Sequence, residues 1–338
     1  MNINDINKYT YLFIYMLKRF DFQHINLIPK KCIVNSRMEC STSLKFGKYT
    51  FNMPVMPANM ECVINDDIAI KLATNNYFYV HHRFNLNAIE FSKKMRKLNL
   101  PVSISVGVND DAYKTLKDLF NENLFPDYVT IDIAHGHSIK MEKILNWIKT
   151  TFLNEPSKKP FIIAGNVSTA EAVVDLESWG ADAIKVGIGP GSACTTFNAT
   201  GFGSRGCQAS VIRDCALARK KAHSLIVADG GIKDPGDIVK SLVLGADMVM
   251  IGGMFSALTD SPGSVVKGED GRMYKEFWGS ASAFQSGKTD RIEGTKKLLL
   301  LKHNGILEEF KYLKECLQSA ISYGGGKDLS CLNDVVYM

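Results

Sequence analysis

One rhythm constrains the fold of this chain more than any other feature. Short apolar runs rich in β-branched residues alternate with amphipathic stretches at helical spacing. The runs are Met53–Pro57, Tyr77–His81, Val102–Val106, Tyr128–Ile133, Phe161–Ala164, Ala183–Val186, Leu225–Ala228 and Met248–Ile251. They read as continuously apolar rather than alternating, as strands buried on both faces do. Helix patterns lie between them, among them Ala88–Leu98, Ala112–Phe120, Lys140–Thr150, Thr169–Trp179, Ala209–Ala222 and Gly236–Leu244. Ser168-Thr169-Ala170-Glu171 reads as a capping box. Asp234 followed by Pro235 reads as a cap before a proline at the first helical position. Gly180 and Gly245 close two helices just before the next strand. Eight βα units in 338 residues predict an α/β fold, a closed TIM (β/α)8 barrel. An open doubly wound sheet is the alternative, and no G-x-G-x-x-G follows an early strand to support it.

A barrel puts its chemistry just past the C-terminal ends of its strands. Polar or glycine-rich clusters stand at those places: Ala58-Asn59-Met60, His81-His82-Arg83, Gly107, Asp132 with His135-Gly136-His137, Gly165-Asn166, Asp229-Gly230-Gly231 and Gly252-Gly253. The sixth strand leads into Gly187-Ile188-Gly189-Pro190-Gly191-Ser192-Ala193-Cys194-Thr195-Thr196. Glycine lets this backbone take positive φ and approach a ligand closely. A cysteine among the loop's backbone N–H groups is a candidate nucleophile as its thiolate. Taken alone, the loop also reads as a plain turn with an incidental cysteine. Gly230-Gly231 and Gly252-Gly253 follow the seventh and eighth strands, where barrels often bind phosphate. Ser192 adds a hydroxyl, and Asp229 is an acceptor suited to paired ribose hydroxyls. Both glycine pairs also read as tight turns.

Gly189-Pro190-Gly191-Ser192-Ala193-Cys194-Thr195-Thr196, Thr200-Gly201-Phe202-Gly203 and Ala228-Asp229-Gly230-Gly231-Ile232 resemble the IMP dehydrogenase/GMP reductase family. Further matching pieces are Cys32 to Arg37, Pro57 to Met60, Ile131 to His137, Gly279 to Ser282, Glu293-Gly294 and Gln318 to Tyr323. Thr200 to Gly203 and the lack of an inserted regulatory domain favour the reductase branch, of bacterial type.

The resemblance implies an NADPH-dependent oxidoreductase that takes GMP to IMP and ammonia through a covalent Cys194 thioimidate, in purine salvage. It implies that Thr196 and Glu293 relay the proton to the leaving ammonia. Ser192, Gly231, Gly252 and Gly253, beside Gly230, would hold the phosphate, and Asp229 the ribose. Gly279, Ser280, Ala281 and Ser282, with Gly294, would face the base. Asp132, Gly165 and Asn166 would line the cofactor side, with His81, His82 and Arg83 as neighbours for a cofactor phosphate. Backbone carbonyls of Gly189, Gly191 and Cys194 would hold a monovalent cation, K+. A homotetramer is implied, as is a mobile flap over about residues 284–300. The flap's Asp290-Arg291-Ile292-Glu293 departs from the Arg- and Ser-bearing version of the animal enzymes, the Ser204-Arg205-Gly206-Cys207 stretch departs from close relatives, and many relatives carry serine where Gly253 stands.

Composition narrows the partners. A net charge of +5, scattered along the chain, suits an anionic small substrate and argues against nucleic acid. Eight cysteines without a C-x-x-C pair read as reduced, cytoplasmic thiols. Tyr9 to Leu17 is too short to span a membrane and lacks a signal-peptide cleavage site. Residues 1–20 are expected to be a poorly ordered extension or a docking helix, with Met16 an alternative start, and 21–338 a single catalytic domain. Rival readings are a metal-dependent hydrolase using His135, His137, Asp132 and His81, and a Schiff-base enzyme using Lys185. An IMP dehydrogenase-like enzyme and a non-catalytic purine-nucleotide sensor are the remaining alternatives on the same barrel.

Overall fold

The computed structural model describes residues 19–220, 224–287, 290 and 292–338. The expected N-terminal extension falls almost wholly outside them, as do the end of the Ala209–Ala222 helix and part of the expected flap. The strands in chain order are β1 (Leu44–Phe46), β2 (Tyr49–Phe51), β3 (Val55–Pro57), β4 (Ser103–Val106), β5 (Tyr128–Asp132), β6 (Phe161–Val167), β7 (Ala183–Val186), β8 (Leu225–Asp229), β9 (Met248–Ile251), β10 (Val265–Lys267), β11 (Met273–Trp278) and β12 (Lys296–Leu300).

Seven of these form one curled parallel sheet in the order β3-β9-β8-β7-β6-β5-β4. The expected second strand, Tyr77–His81, is the exception: it joins the sheet through a single parallel bridge, His81 to Ile104. It still occupies a strand's place. Phe78 and Val80 turn into the inner core, whereas Tyr79 packs in the outer one. The hydrogen-bonded ladder therefore has seven strands where the sequence suggests eight, and the eighth station is filled by packing.

Helices separate the strands as expected: Asp66–Thr74, Ala88–Lys97, Asp110–Asn121, Ile139–Thr151, Ala170–Trp179, Gln208–Ala218 and Pro235–Val243. Their starts are set by short polar side chains. Asn65, Asn87, Ser138 and Thr169 each accept a backbone N–H of the first turn, satisfying an otherwise orphaned donor. Thr169 corrects the expected capping box by one residue, because the Ser168 hydroxyl instead accepts the Ile188 N–H at 3.1 Å. Ser168 thus ties the helix start to the cysteine loop. Gly180 ends its helix in the left-handed region at φ 115°.

Two additions complete the barrel. The β1–β2 hairpin packs Phe46 and Phe51 against Phe78, Tyr128 and Phe161 and stops the N-terminal end. An antiparallel sheet, β10-β11-β12, stands beside the other end. The strand β12 covers the last residues of the segment expected to be a flap.

Candidate active site

The two ends of the strands differ in what they carry. At the C-terminal end lies a cavity of about 590 Å³, lined by the cysteine loop, Asp132, Asn166, Lys185, Asp229 and the two glycine pairs. The cysteine loop needs its glycines. A Cβ at Gly187, where φ is +147°, would meet the Asp229 carbonyl oxygen at 1.9 Å, so only glycine lets β7 turn into the loop beside β8.

Cys194 is half-buried on this loop and faces the cavity. Its Sγ donates to Thr196 Oγ1 at 3.3 Å, and Thr196 Oγ1 donates to Glu293 Oε2 at 2.5 Å. Thr196 and Glu293 lie 97 positions apart in sequence. Backbone pairing joins them: Thr195 N donates to Glu293 O and Thr295 N to Ala193 O, both at 2.9 Å. Glu293 N in turn donates to Ala281 O at 3.1 Å, so the 293–295 segment is stitched between the cysteine loop and the Gly279–Ser282 stretch. The result is a thiol, a hydroxyl and a carboxylate in one hydrogen-bonded line at the rim of the cavity.

Other cysteines lack such surroundings. Burial pushes the Cys62 thiol up to about 11 and the Cys215 thiol up to about 12, so both are protonated and inert at neutral pH.

The floor of the cavity carries a charged group that the sequence analysis raised only as a Schiff-base candidate. Lys185 on β7 is 2 % exposed and bonds Asp132 Oδ1 at 2.8 Å and Asp229 Oδ2 at 2.6 Å. Asn59 donates to Asp132 at 3.0 Å, and Asn166 donates to Asp229 at 2.8 Å. Burial works to raise the Asp132 carboxyl, but the Lys185 ammonium overrides it and holds the group below its ordinary range. Burial likewise works to lower Lys185, and its two carboxylates override it and hold the ammonium charged. A charged, doubly paired lysine is a poor Schiff-base nucleophile, which needs a free amine. Its place in β7 could have revealed this pairing: a lysine in an otherwise apolar strand buried throughout needs a partner.

Most expected site residues meet at this cavity. Ser192, Gly189, Gly191, Asp229, Gly230, Gly231, Gly252, Gly253, Gly279, Ser280, Ala281, Arg83, Asp132 and Asn166 line it together with Cys194, Thr196 and Glu293. Ser282 and Gly294 lie one layer behind, bridged to each other, and Ser282 caps the short helix Ala283–Ser286. Gly165 is beneath Lys185: a Cβ there would meet the Lys185 carbonyl oxygen at 2.5 Å. His81 and His82 are buried outside the main cavity and line a neighbouring one of about 490 Å³ with Asp66 and Glu90. His81 Nε2 lies 3.0 Å from Asp66 Oδ1, and His137 Nε2 lies 2.8 Å from Asp175 Oδ2. His81 and His137 are thus taken by separate carboxylates, and among the described residues no cluster of metal-binding side chains forms.

The Phe284–Leu300 segment is attached at several points. Gln285 accepts from Trp278 Nε1 and donates to Glu61 Oε2, both at 2.7 Å. Lys296–Leu300 pairs along β11 from Trp278 to Tyr274. Lys288, Thr289 and Arg291 lie outside the described residues.

Two features bear on ligands. Asn166 Oδ1 is a buried acceptor without a partner at the cavity wall, which fits a carboxamide-bearing cofactor such as a nicotinamide. The carbonyls of Gly189, Gly191 and Cys194 offer neutral oxygen donors on one loop, a donor set that fits a monovalent cation. Among the described residues, no helix is long and apolar enough to cross a membrane.

Comparison with known proteins agrees with this geometry. The model of the IMP dehydrogenase / GMP reductase domain matches residues 19–336. A GMP reductase of Enterococcus faecalis is 50% identical over 324 residues, 95% of this chain and 96% of that protein. A GMP reductase of Mesoplasma florum is 48% identical over 319 residues, 94% of this chain and 97% of that protein. One of Mycoplasma mycoides is 46% identical over 322 residues, 95% and 98% of the two chains.

Proposed function

The chain belongs to the IMP dehydrogenase/GMP reductase family, and from that premise we propose that it is a GMP reductase. It converts GMP, NADPH and a proton to IMP, ammonia and NADP+, an oxidoreductase step of purine metabolism. The observation that carries this reading is the line Cys194 Sγ, Thr196 Oγ1, Glu293 Oε2 beside a cavity of nucleotide size.

The chemistry follows from that line. The Cys194 thiol already donates to Thr196, and Thr196 to Glu293, so the thiol proton can pass along it to the carboxylate. The sulfur then adds to the purine carbon bearing the amino group. Glu293, now protonated, returns a proton through Thr196 to that nitrogen, and ammonia leaves. A thioimidate on Cys194 remains. Covalent capture divides one difficult displacement into two easier steps. The nicotinamide cofactor, when bound, supplies the hydride to the same carbon; the Cys194 sulfur then departs with its electron pair and IMP is released. Ser192, Gly230, Gly231, Gly252 and Gly253 hold the phosphate and Asp229 the ribose. Gly279 to Ala281, with Ser282 and Gly294 behind them, shape the base pocket. Asp132, Asn166 and Arg83 serve the cofactor, with Asn166 Oδ1 accepting from its carboxamide; Gly165 supports that side from below, and His81 and His82 flank it.

Carbonyls of Gly189, Gly191 and Cys194 hold K+ and brace the loop. Residues 21–338 form one catalytic domain; the pairing of Asn26 with Met338 near its two ends supports that reading. Residues 1–20 are an extension, the 284–300 segment closes over the bound base, and the enzyme works as a cytoplasmic homotetramer, on the strength of family membership. Absorbance at 340 nm on mixing the protein with GMP and NADPH tests the function. Oxidation should appear with GMP and NADPH, whereas reduction on mixing IMP with NAD+ and no oxidation with GMP would overturn it.

A further inference from the structure

We propose that Lys185 is a positioning residue of this site: its single ammonium ties the substrate-side carboxylate Asp229 to the cofactor-side carboxylate Asp132 and keeps both as hydrogen-bond acceptors. The inference rests on the GMP reductase reading for the names of its two ligands. Its geometry stands on the sheet register. Asp132, Gly165 and Lys185 are consecutive partners across β5, β6 and β7. Lys185 therefore reaches Asp132 over an intervening strand, at the one position where that strand has no side chain. A Cβ on Gly165 would lie 2.7 Å from Lys185 Cβ and 2.5 Å from its carbonyl oxygen, closing the gap. On its other side Lys185 meets Asp229 at the end of the adjacent β8.

Without that ammonium, two partly buried carboxylates that share it as a partner lose it together, and like charges in a low-dielectric site favour one of them keeping a proton. A protonated carboxyl donates where a ribose hydroxyl needs an acceptor. Arg83, which also acts on Asp132, and Asn59 and Asn166 remain but supply no second buried cation. Glu293, Lys233 and Lys302 line the same cavity, as does the Cys194 thiol, and none of them bonds either carboxylate among the described residues.

The test is steady-state kinetics of wild type, Lys185→Met and the double variant Lys185→Met/Asp132→Asn from pH 6.5 to 8.5. In K185M, KM for GMP and for NADPH should both rise at pH 6.5, by roughly tenfold for each unit by which the raised carboxyl pKa exceeds the assay pH, with kcat changed far less. Relative to wild type, both should recover toward pH 8.5 as the shared proton leaves. The double variant removes the repulsion: KM for GMP should return to near wild type at every pH, while KM for NADPH stays high. A lysine that merely fills space predicts no pH trend and no recovery in the double variant, and either result overturns the proposal. If K185M fails to fold, the double variant decides the matter alone by its GMP recovery. Carboxyl-carbon NMR titration of the ligand-free variants separates this proposal from the function. A wild type inactive with GMP sinks the function, whereas ordinary Asp132 and Asp229 titrations in K185M sink the role of Lys185.

Discussion

The two ends of one barrel are built from the same strands and obey opposite rules. At the N-terminal end, Phe46, Phe51, Phe78, Tyr128 and Phe161 interlock, with ring centroids between 4.8 and 6.2 Å apart. The polar tips there are satisfied, since the Tyr128 hydroxyl donates to the Phe46 carbonyl at 2.5 Å and the Tyr49 hydroxyl to Asp127 at 3.1 Å. At the C-terminal end the same strands carry Asp132, Lys185 and Asp229, and the loops replace side chains with glycines. The closed end supplies burial; the open end holds buried charge and unpaired acceptors that cost stability and serve a ligand. The lesson is that stability and chemistry are separable along the barrel axis.

The largest effect expected at the open end is that of Cys194→Ala. Turnover should fall by several orders of magnitude with melting temperature unchanged and GMP binding retained, read by absorbance at 340 nm and by calorimetry. Substantial residual turnover removes the covalent step. Thr196→Val should slow the reaction by about 10²–10⁴-fold. Single-turnover kinetics should place the loss in ammonia release, and a loss confined to GMP affinity contradicts the relay. At the closed end, Phe46→Ala should destabilise the fold by roughly 3–5 kcal/mol through its cavity. Its kinetics at a permissive temperature should match wild type; a matching fall in kcat would show that the two ends are coupled.

The smallest expected effect sharpens the comparison through pH. Burial, reinforced by His81, pushes His82 down to about 4, and its Nδ1 lacks a partner. The unfolded chain binds that proton first, near pH 6.5, so folding stability is lost as pH falls from there to about 4, by up to roughly 3 kcal/mol. His82→Phe should flatten this part of the denaturation profile, and an unchanged slope assigns the pH sensitivity elsewhere.

Legibility followed locality. The βα rhythm, the helix caps and the cysteine loop are written in consecutive residues, and each strand and helix named from them lies within a few positions of its place. Tyr77–His81 escaped full pairing because its burial pattern, which sequence reports, does not reveal whether a neighbour meets its backbone. The β12 strand was missed because Lys296 to Leu300 is mostly exposed and is made a strand by its pairing with β11, which the sequence does not report. His81 and His82 follow a strand as site residues do, yet their rings turn to Asp66 and to the outer cavity; the direction of a side chain after a strand end is not encoded in its spacing.

The sequence by itself determined the alternation that closes a barrel, the glycine-hinged cysteine at one strand end and the acceptor at another, because periodicity and backbone freedom are local properties. The family resemblance couples Thr196 and Glu293 in one role, but only the tertiary structure decided how they meet across 97 positions, and that Lys185 reaches two carboxylates, one of them over a glycine. Both depend on strand register and loop pairing, which arise when distant segments share one core and which no single stretch of chain contains.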